Sequence, residues 1–142
     1  MAAHNPDALR EGPVRLCGYA NEVGESFRPM VPRWAVGASY GVAGVYVAAD
    51  GAWRASTPPE GRSQLVEASD AMLWQGLASV VVPGAVINRI VWAVGKATPR
   101  AKWLPTLTGL ACIPLIIRPI DHGVDLFMET CVRPLYPASS SQ

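Results

Sequence analysis

The chain predicts an all-α fold: a small polytopic membrane protein with about three short transmembrane helices, flanked by N- and C-terminal amphipathic helices. Three observations carry that expectation. Half of the 142 residues are hydrophobic and only 16% are charged, against about a quarter in ordinary globular domains. Ala71 to Asn88 is eighteen residues without a charge; as a helix it is about 27 Å long, close to the ~30 Å hydrocarbon core of a bilayer. Two further uncharged runs accompany it, sixteen residues from Trp34 to Ala49 and fifteen from Trp103 to Ile117. Helices apolar on every face suit lipid, because the helices of a soluble domain keep one face for water.

Residues 1–13 read as a polar arm containing His4, Asp7 and Glu11. The arm has neither the apolar core of a secretory signal nor the Arg-rich, acid-poor character of a cleavable presequence, so any organellar address is expected inside the spans. Residues 14–137 then read as one helical membrane domain, and 138–142 as a polar tail. From 14 to 28, Leu16, Ala20, Val23 and Phe27 recur at helical spacing, with Arg15, Glu22 and Glu25 turned elsewhere. Gly18 and Gly24 weaken an isolated helix there by roughly 1 kcal/mol each, so the segment needs a membrane surface or other helices to lie on. Pro29 and Pro32 end it.

The first span, residues 34–49, is rich in small residues. Gly37 and Gly41 form a GxxxG pair, and Gly44 and Ala48 repeat the spacing. Small residues four apart let helix backbones approach closely in lipid; packing within the chain is preferred here over a dimer contact. Asp50 to Asp70 is the hydrophilic connection. Thr57-Pro58-Pro59-Glu60 has the form of a capping box, placing a helix start near Pro58.

The central span, 71–95, carries Gln75, Ser79 and Asn88 inside it, and Pro83-Gly84 predicts a kink. Single intramembrane amides usually bond across helices. Arg89 is either the boundary of the span, the preferred reading, or an internal ion-pair partner, because a charge at mid-bilayer costs several kcal/mol unless paired or snorkelling. Thr98-Pro99 reads as the cap of the next helix, with Lys96, Arg100 and Lys102 in a basic connector. Span 103–117 is short for a full crossing, and a re-entrant helix is the alternative. From 121 to 136, Val124, Phe127, Met128, Cys131, Val132 and Leu135 make an amphipathic face. Asp125, Glu129 and Arg133 lie opposite, and Asp121 is the N-cap candidate. With three crossings, seven Lys/Arg (Arg10, Arg15, Arg28, Arg33, Lys96, Arg100, Lys102) face four (Arg54, Arg62, Arg118, Arg133), which puts the N-terminus on the positive side.

Candidates for chemistry are few. A net charge of +1 without a basic cluster argues against nucleic acid. Cys17, Cys112 and Cys131 lack CxxC spacing and read as buried thiols, not a disulfide framework or zinc site. Asp121, His122 and Asp125 stand together, but a metal needs three or four converging ligands, so cap plus solvated face is the better account. No nucleophile is placed with a base and no phosphate loop follows a strand. The expectation is no enzyme, no metal, no cofactor and no small-molecule substrate.

Several motifs fall in order along the chain: Gly18-Tyr-Ala-Asn-Glu-Val-Gly-Glu-Ser-Phe-Arg28, Ser39-Tyr-Gly-Val-Ala43, Tyr46-Val-Ala-Ala-Asp50, Trp74-Gln-Gly-Leu-Ala-Ser79, Pro83-Gly84, Ile87-Asn-Arg89, Ile113-Pro-Leu-Ile-Ile117, Pro119-Ile-Asp121 and Arg133-Pro-Leu-Tyr136-Pro137. Through them the chain, from about Val14 to Pro137, resembles the mitochondrial fission process protein family, differing in a shorter acidic connection and a shorter tail. The resemblance implies a multi-pass protein of the mitochondrial inner membrane that helps set mitochondrial morphology without catalytic residues; in that membrane the positive side, where the Lys/Arg count puts the N-terminus, is the matrix. It also suggests mutual docking of two motifs, with Glu22 or Glu25 neutralising Arg89. Partners are then the lipid bilayer and other inner-membrane proteins. The second reading is an accessory subunit of a large inner-membrane complex such as a respiratory-chain complex or ATP synthase.

Overall fold

The computed structural model describes residues 13–136; residues 1–12 and 137–142, with His4, Arg10 and the polar tail, lie outside the described residues. Regular structure among the described residues is entirely helical: α1 (Ala20–Ser26), α2 (Arg33–Ser56), α3 (Gln64–Gln75), α4 (Val82–Ala97) and α5 (Leu104–Phe127). A 3₁₀ stretch, Pro13–Tyr19, leads into α1, and a 3₁₀ turn, Arg133–Leu135, closes the described chain.

Helix α2 begins after Pro32, whose extended backbone (ψ 156°) stops the helix from running back. It passes the expected end at Ala49 because Asp50 does not face water. Its side chain is fully buried, and Arg54, one turn on, approaches it at 3.7 Å. The helix start expected at Pro58 is not there. Gly61 takes a positive φ of 81°, which a right-handed helix cannot pass through. Instead Ser63 caps α3, its hydroxyl accepting the Val66 N–H at 3.1 Å.

Between α3 and α4 the chain does not break. A π-helical turn, Gly76–Val81, lies immediately before Pro83, and the Val82 N–H reaches back to the Leu77 carbonyl. A widened turn makes room for the proline ring, which would clash with an ordinary preceding turn. The result is one helical run from Gln64 to Ala97. Thr98 ends that run, its hydroxyl donating to the Val94 carbonyl at 2.6 Å, so it does not cap the next helix. Helix α5 likewise absorbs Pro114 and Pro119 and continues through a second π-turn, Met128–Val132, to Leu135. The expected break between residues 117 and 121 is absent, and Asp121 lies inside a helix, not at an N-cap.

Two helical runs, Gln64–Ala97 and Leu104–Leu135, are long and apolar enough to cross a membrane. Helix α2 is long enough but, diluted by glycine, alanine and serine, is not among them. Only 33% and 22% of the most apolar stretches of those two runs are buried. Their apolar side chains mostly face outward.

α2 runs antiparallel to the 64–97 run: Gly51 lies against Met72, and Tyr40 against Gly84. α5 runs antiparallel to it on another side, with Gly109 against Val91 and Trp74 against Asp125. Two apolar clusters join these runs, Trp74, Ala78, Val124 and Met128 at one level and Ile87, Val91 and Ile113 at the other. The short α1 touches α2, α4 and α5 at once.

Candidate functional site, a polar seam and a basic cleft

The N-terminal segment is turned the opposite way from its apolar spacing. Leu16 is 66% and Val23 41% exposed, whereas Asn21, Glu22, Glu25 and Ser26 are at most 2% exposed. Amphipathicity alone fixes two faces but not which one is inside. Here α1 is a polar wedge, and the helices around it supply hydrogen-bond partners.

Glu25 is the hub of that wedge. Its Oε1 accepts from Arg28 Nη2 and from the Tyr40 hydroxyl, both at 2.8 Å; Oε2 accepts from Arg28 Nε at 2.7 Å and Asn88 Nδ2 at 3.0 Å. Burial pushes the Glu25 carboxyl up, but the hydrogen bonds from Arg28, Asn88 and Tyr40 outweigh it and hold the group below the usual carboxylate range. Asn88 Oδ1 in turn accepts from Arg89 Nε and Nη2, at 3.1 and 2.8 Å. The direct Glu–Arg89 pairing suggested by the sequence is therefore replaced by a relay. Arg89 stays exposed, and an amide stands between it and the carboxylate because Arg28, three residues from Glu25, already fills the bidentate position.

Glu22 makes no such contact. Neither of its oxygens has a hydrogen-bond partner among the described residues, and the side chain is buried. Burial, only partly offset by the charge of Arg15, pushes its carboxyl up to about 8. Arg15 itself pairs with Asp121 at 3.1 Å, donates to the Tyr19 hydroxyl at 2.8 Å and lies 5.5 Å from the Trp74 ring centre. Asp121 thus serves an ion pair across the fold.

Gln75, fully buried, donates to the Tyr46 hydroxyl at 3.1 Å and accepts from Ser79 at 2.6 Å; Asn21 donates to the Val80 carbonyl at 2.9 Å. At the far end Asp70 accepts from Arg133 at 3.1 Å and from the Tyr136 hydroxyl at 2.9 Å. Burial and that carboxylate push the Tyr136 phenol up to about 12. Arg62 meets Glu67 at 3.0 Å, and Trp74 Nε1 donates to Asp125 at 2.6 Å. Asp125 is exposed, as expected of a solvated row, and accepts from Trp74 as well, whereas Arg133, half-buried, bonds back to Asp70.

Among the described residues the GxxxG glycines play no part in packing. A Cβ placed on Gly37, Gly41 or Gly44 would meet nothing within 4 Å. Close approach occurs at glycines that the spacing did not single out. A Cβ on Gly84 would lie 2.6 Å from the Tyr40 hydroxyl, and one on Gly109 would lie 2.7 Å from Ser26 Oγ. The cysteines are also placed differently from expectation, with Cys17 and Cys131 exposed and Cys112 half-buried, all three free. Among the described residues no group of three or more His, Cys, Asp and Glu could hold a metal.

Beside Arg89 opens a cleft of about 470 Å³ between the turn after α1 and the last turns of α4. Arg89 and Lys96 flank the Trp92 ring there, at 5.2 and 5.8 Å from its centre. What this arrangement can do is hold elements together inside an apolar exterior and offer charge at one end.

Comparison with known proteins bears on the rest. The family model for Mitochondrial 18 KDa protein (MTP18) matches residues 8–63. Mitochondrial fission process protein 1 of Homo sapiens is 46% identical over 92% of this chain and 89% of its own length. The Danio rerio protein of the same name is 44% identical over 92% and 88%. That of Caenorhabditis elegans is 40% identical over 92% and 89%. No solved structure matches the chain.

Proposed function

The chain belongs to the mitochondrial fission process protein family, and from that premise we propose that it acts in mitochondrial fission as a non-catalytic, multi-pass protein of the inner membrane. Its work on this reading is membrane organisation through helix packing and contacts with other membrane proteins. One observation carries the reading, the inversion of exposure. Carboxylates and amides are sequestered while Trp34, Val45, Leu65 and Leu115 stand more than 70% exposed. Water would penalise that apolar surface; lipid would not, and it penalises unpaired polar groups instead.

The runs Gln64–Ala97 and Leu104–Leu135 make two crossings and α2 a third, about 36 Å long at its 24 residues. The Lys/Arg excess puts the N-terminus in the matrix. The accessory-subunit reading is not favoured, since the relatives carry a fission name and none the name of a complex subunit.

The test uses the tagged full chain in cells lacking the endogenous protein. It should resist alkaline extraction from mitochondria, keep an N-terminal tag protected from protease in mitoplasts, and restore normal mitochondrial length where its loss lengthens the network. Release into the alkaline supernatant would overturn the membrane reading, and unchanged morphology without the protein would overturn the role in fission.

A further inference from the structure

We propose that the cleft beside Arg89 binds the phosphate headgroup of an anionic phospholipid, with Arg89 and Lys96 supplying the charge and Trp92 the platform between them. The inference rests on the membrane reading above and adds a ligand to it.

Among the described residues the charge in the cleft is uncompensated. Arg28, on one wall, is neutralised by Glu25 at 2.7 Å. Arg89 and Lys96 meet no carboxylate among the described residues; their contacts are Asn88 and the Trp92 ring. Two positive groups are therefore held around one indole that is itself 54% exposed. Asn88 spends its amide on Glu25 and its carbonyl on Arg89. The guanidinium is thereby fixed in place, and its remaining N–H groups are unspent among the described residues. A phosphate monoanion or diester is the ligand such donors fit.

Position selects a lipid over a dissolved anion. The cleft lies at the end of the apolar 64–97 run, and its other walls are Pro29, Val91 and Gly95. The antiparallel arrangement brings the start of α2, the end of α4 and the start of α5 to this same end. There Trp34, Trp92 and Trp103 are exposed at 75, 54 and 59%. Exposed indoles at one level mark a membrane–water interface, and a basic pocket between helices at that level is where anionic headgroups bind. Acyl chains then run along the apolar outer faces of the helices.

The test is native mass spectrometry of the purified full chain in detergent micelles titrated with phosphatidylglycerol or phosphatidylcholine of identical acyl chains. The wild type should retain one phosphatidylglycerol with about tenfold preference over phosphatidylcholine. Arg89→Ala/Lys96→Ala should abolish the preference and Lys96→Ala alone should halve it. Arg100→Ala/Lys102→Ala, which removes the same charge from the connector, should leave it intact. Circular dichroism confirms folding; should the double variant unfold, Lys96→Ala and Trp92→Leu decide. Equal retention of the two lipids by the wild type, or equal loss in the connector variant, would overturn the proposal. So would displacement of the lipid by millimolar inorganic phosphate, which would assign the cleft to a free anion. A chain that stays soluble and monomeric without detergent would overturn the membrane reading as well, whereas a micelle-bound chain without preference overturns the lipid site alone.

Discussion

Asn88 donates to Glu25 at 3.0 Å across 63 positions of sequence, while its carbonyl oxygen holds the Arg89 guanidinium at 2.8 Å. One amide thereby links a buried carboxylate on α1 to an exposed cation on α4. No other side chain of that size presents a donor to the first and an acceptor to the second. Asn88→Leu leaves one Glu25 oxygen short of a donor and releases Arg89, at a cost of about 1–3 kcal/mol. Asn88→Asp sets two carboxylates against each other and costs more. Thermal unfolding in micelles should rank wild type above Leu above Asp. Exchanging Glu25 and Arg89 for each other should fail to restore stability, since no direct pair exists to be re-formed; full rescue would refute the relay.

Glu22 and Glu25 share one helix and behave oppositely with pH. Glu22 has no hydrogen-bond partner among the described residues, and burial pushes its carboxyl up to about 8 from an ordinary value of 4.5. Between those values the folded chain binds a proton that the unfolded chain has released, so stability falls as pH rises across that window. Glu22→Gln should flatten the decline and raise the melting temperature at pH 8 relative to wild type in the same detergent. Glu25, held below the usual range, stabilises at neutral pH, and its contribution is lost as pH falls through its lowered value. An unchanged pH profile in Glu22→Gln would show that the carboxyl is hydrated and not buried.

How much of this was legible depends on what periodicity can report. The helical class, the apolar runs and the polar positions Gln75 and Asn88 follow from composition and spacing. Orientation does not: the spacing of Leu16, Ala20, Val23 and Phe27 is the same whether that face meets a core or lipid. In water Glu22 and Glu25 would turn outward; on the membrane reading proposed above, an apolar solvent reverses the rule. Helix boundaries depart from the sequence expectation for a related reason. Asp50, Asp70 and Asp121 look like ends of spans, yet each lies within a helix and is met by an arginine, Arg54, Arg133 and Arg15 respectively. The signal available was the near balance of charges, twelve basic against eleven acidic residues, in a chain with few places to hydrate them. The prolines misled too, because a π-turn lets a helix continue past Pro83.

The glycines separate packing from motif. A methyl added at Gly109 would press on Ser26 Oγ at 2.7 Å and Val91 Cγ2 at 2.9 Å, where α1 wedges against α4 and α5. Gly109→Ala should cost about 1–3 kcal/mol. Gly37→Ala and Gly41→Ala meet open space among the described residues and gain helix propensity, up to about 1 kcal/mol each. Chemical or thermal unfolding in micelles would show opposite signs at the two kinds of site. Destabilisation at Gly37 and Gly41 matching that at Gly109 would mean that the outward stripe is packed after all.

Arg15 and Asp121 close the wedge from the other side, 106 positions apart. Their side chains are 13% and 27% exposed, enough to dehydrate the pair without burying it fully. Removing one partner strands the other charge beside Glu22, whereas removing both replaces a dehydrated pair by apolar contact. Arg15→Met keeps the aliphatic stem and removes the guanidinium, with its hydrogen bond to Tyr19 and its place over the Trp74 ring. The single variants Arg15→Met and Asp121→Leu should therefore each destabilise by about 2–4 kcal/mol, and the double variant by less than either alone. The cycle is read from unfolding midpoints in one detergent at pH 7. Additive losses would show two residues that happen to be near, and would remove this pair from what fixes the position of α1.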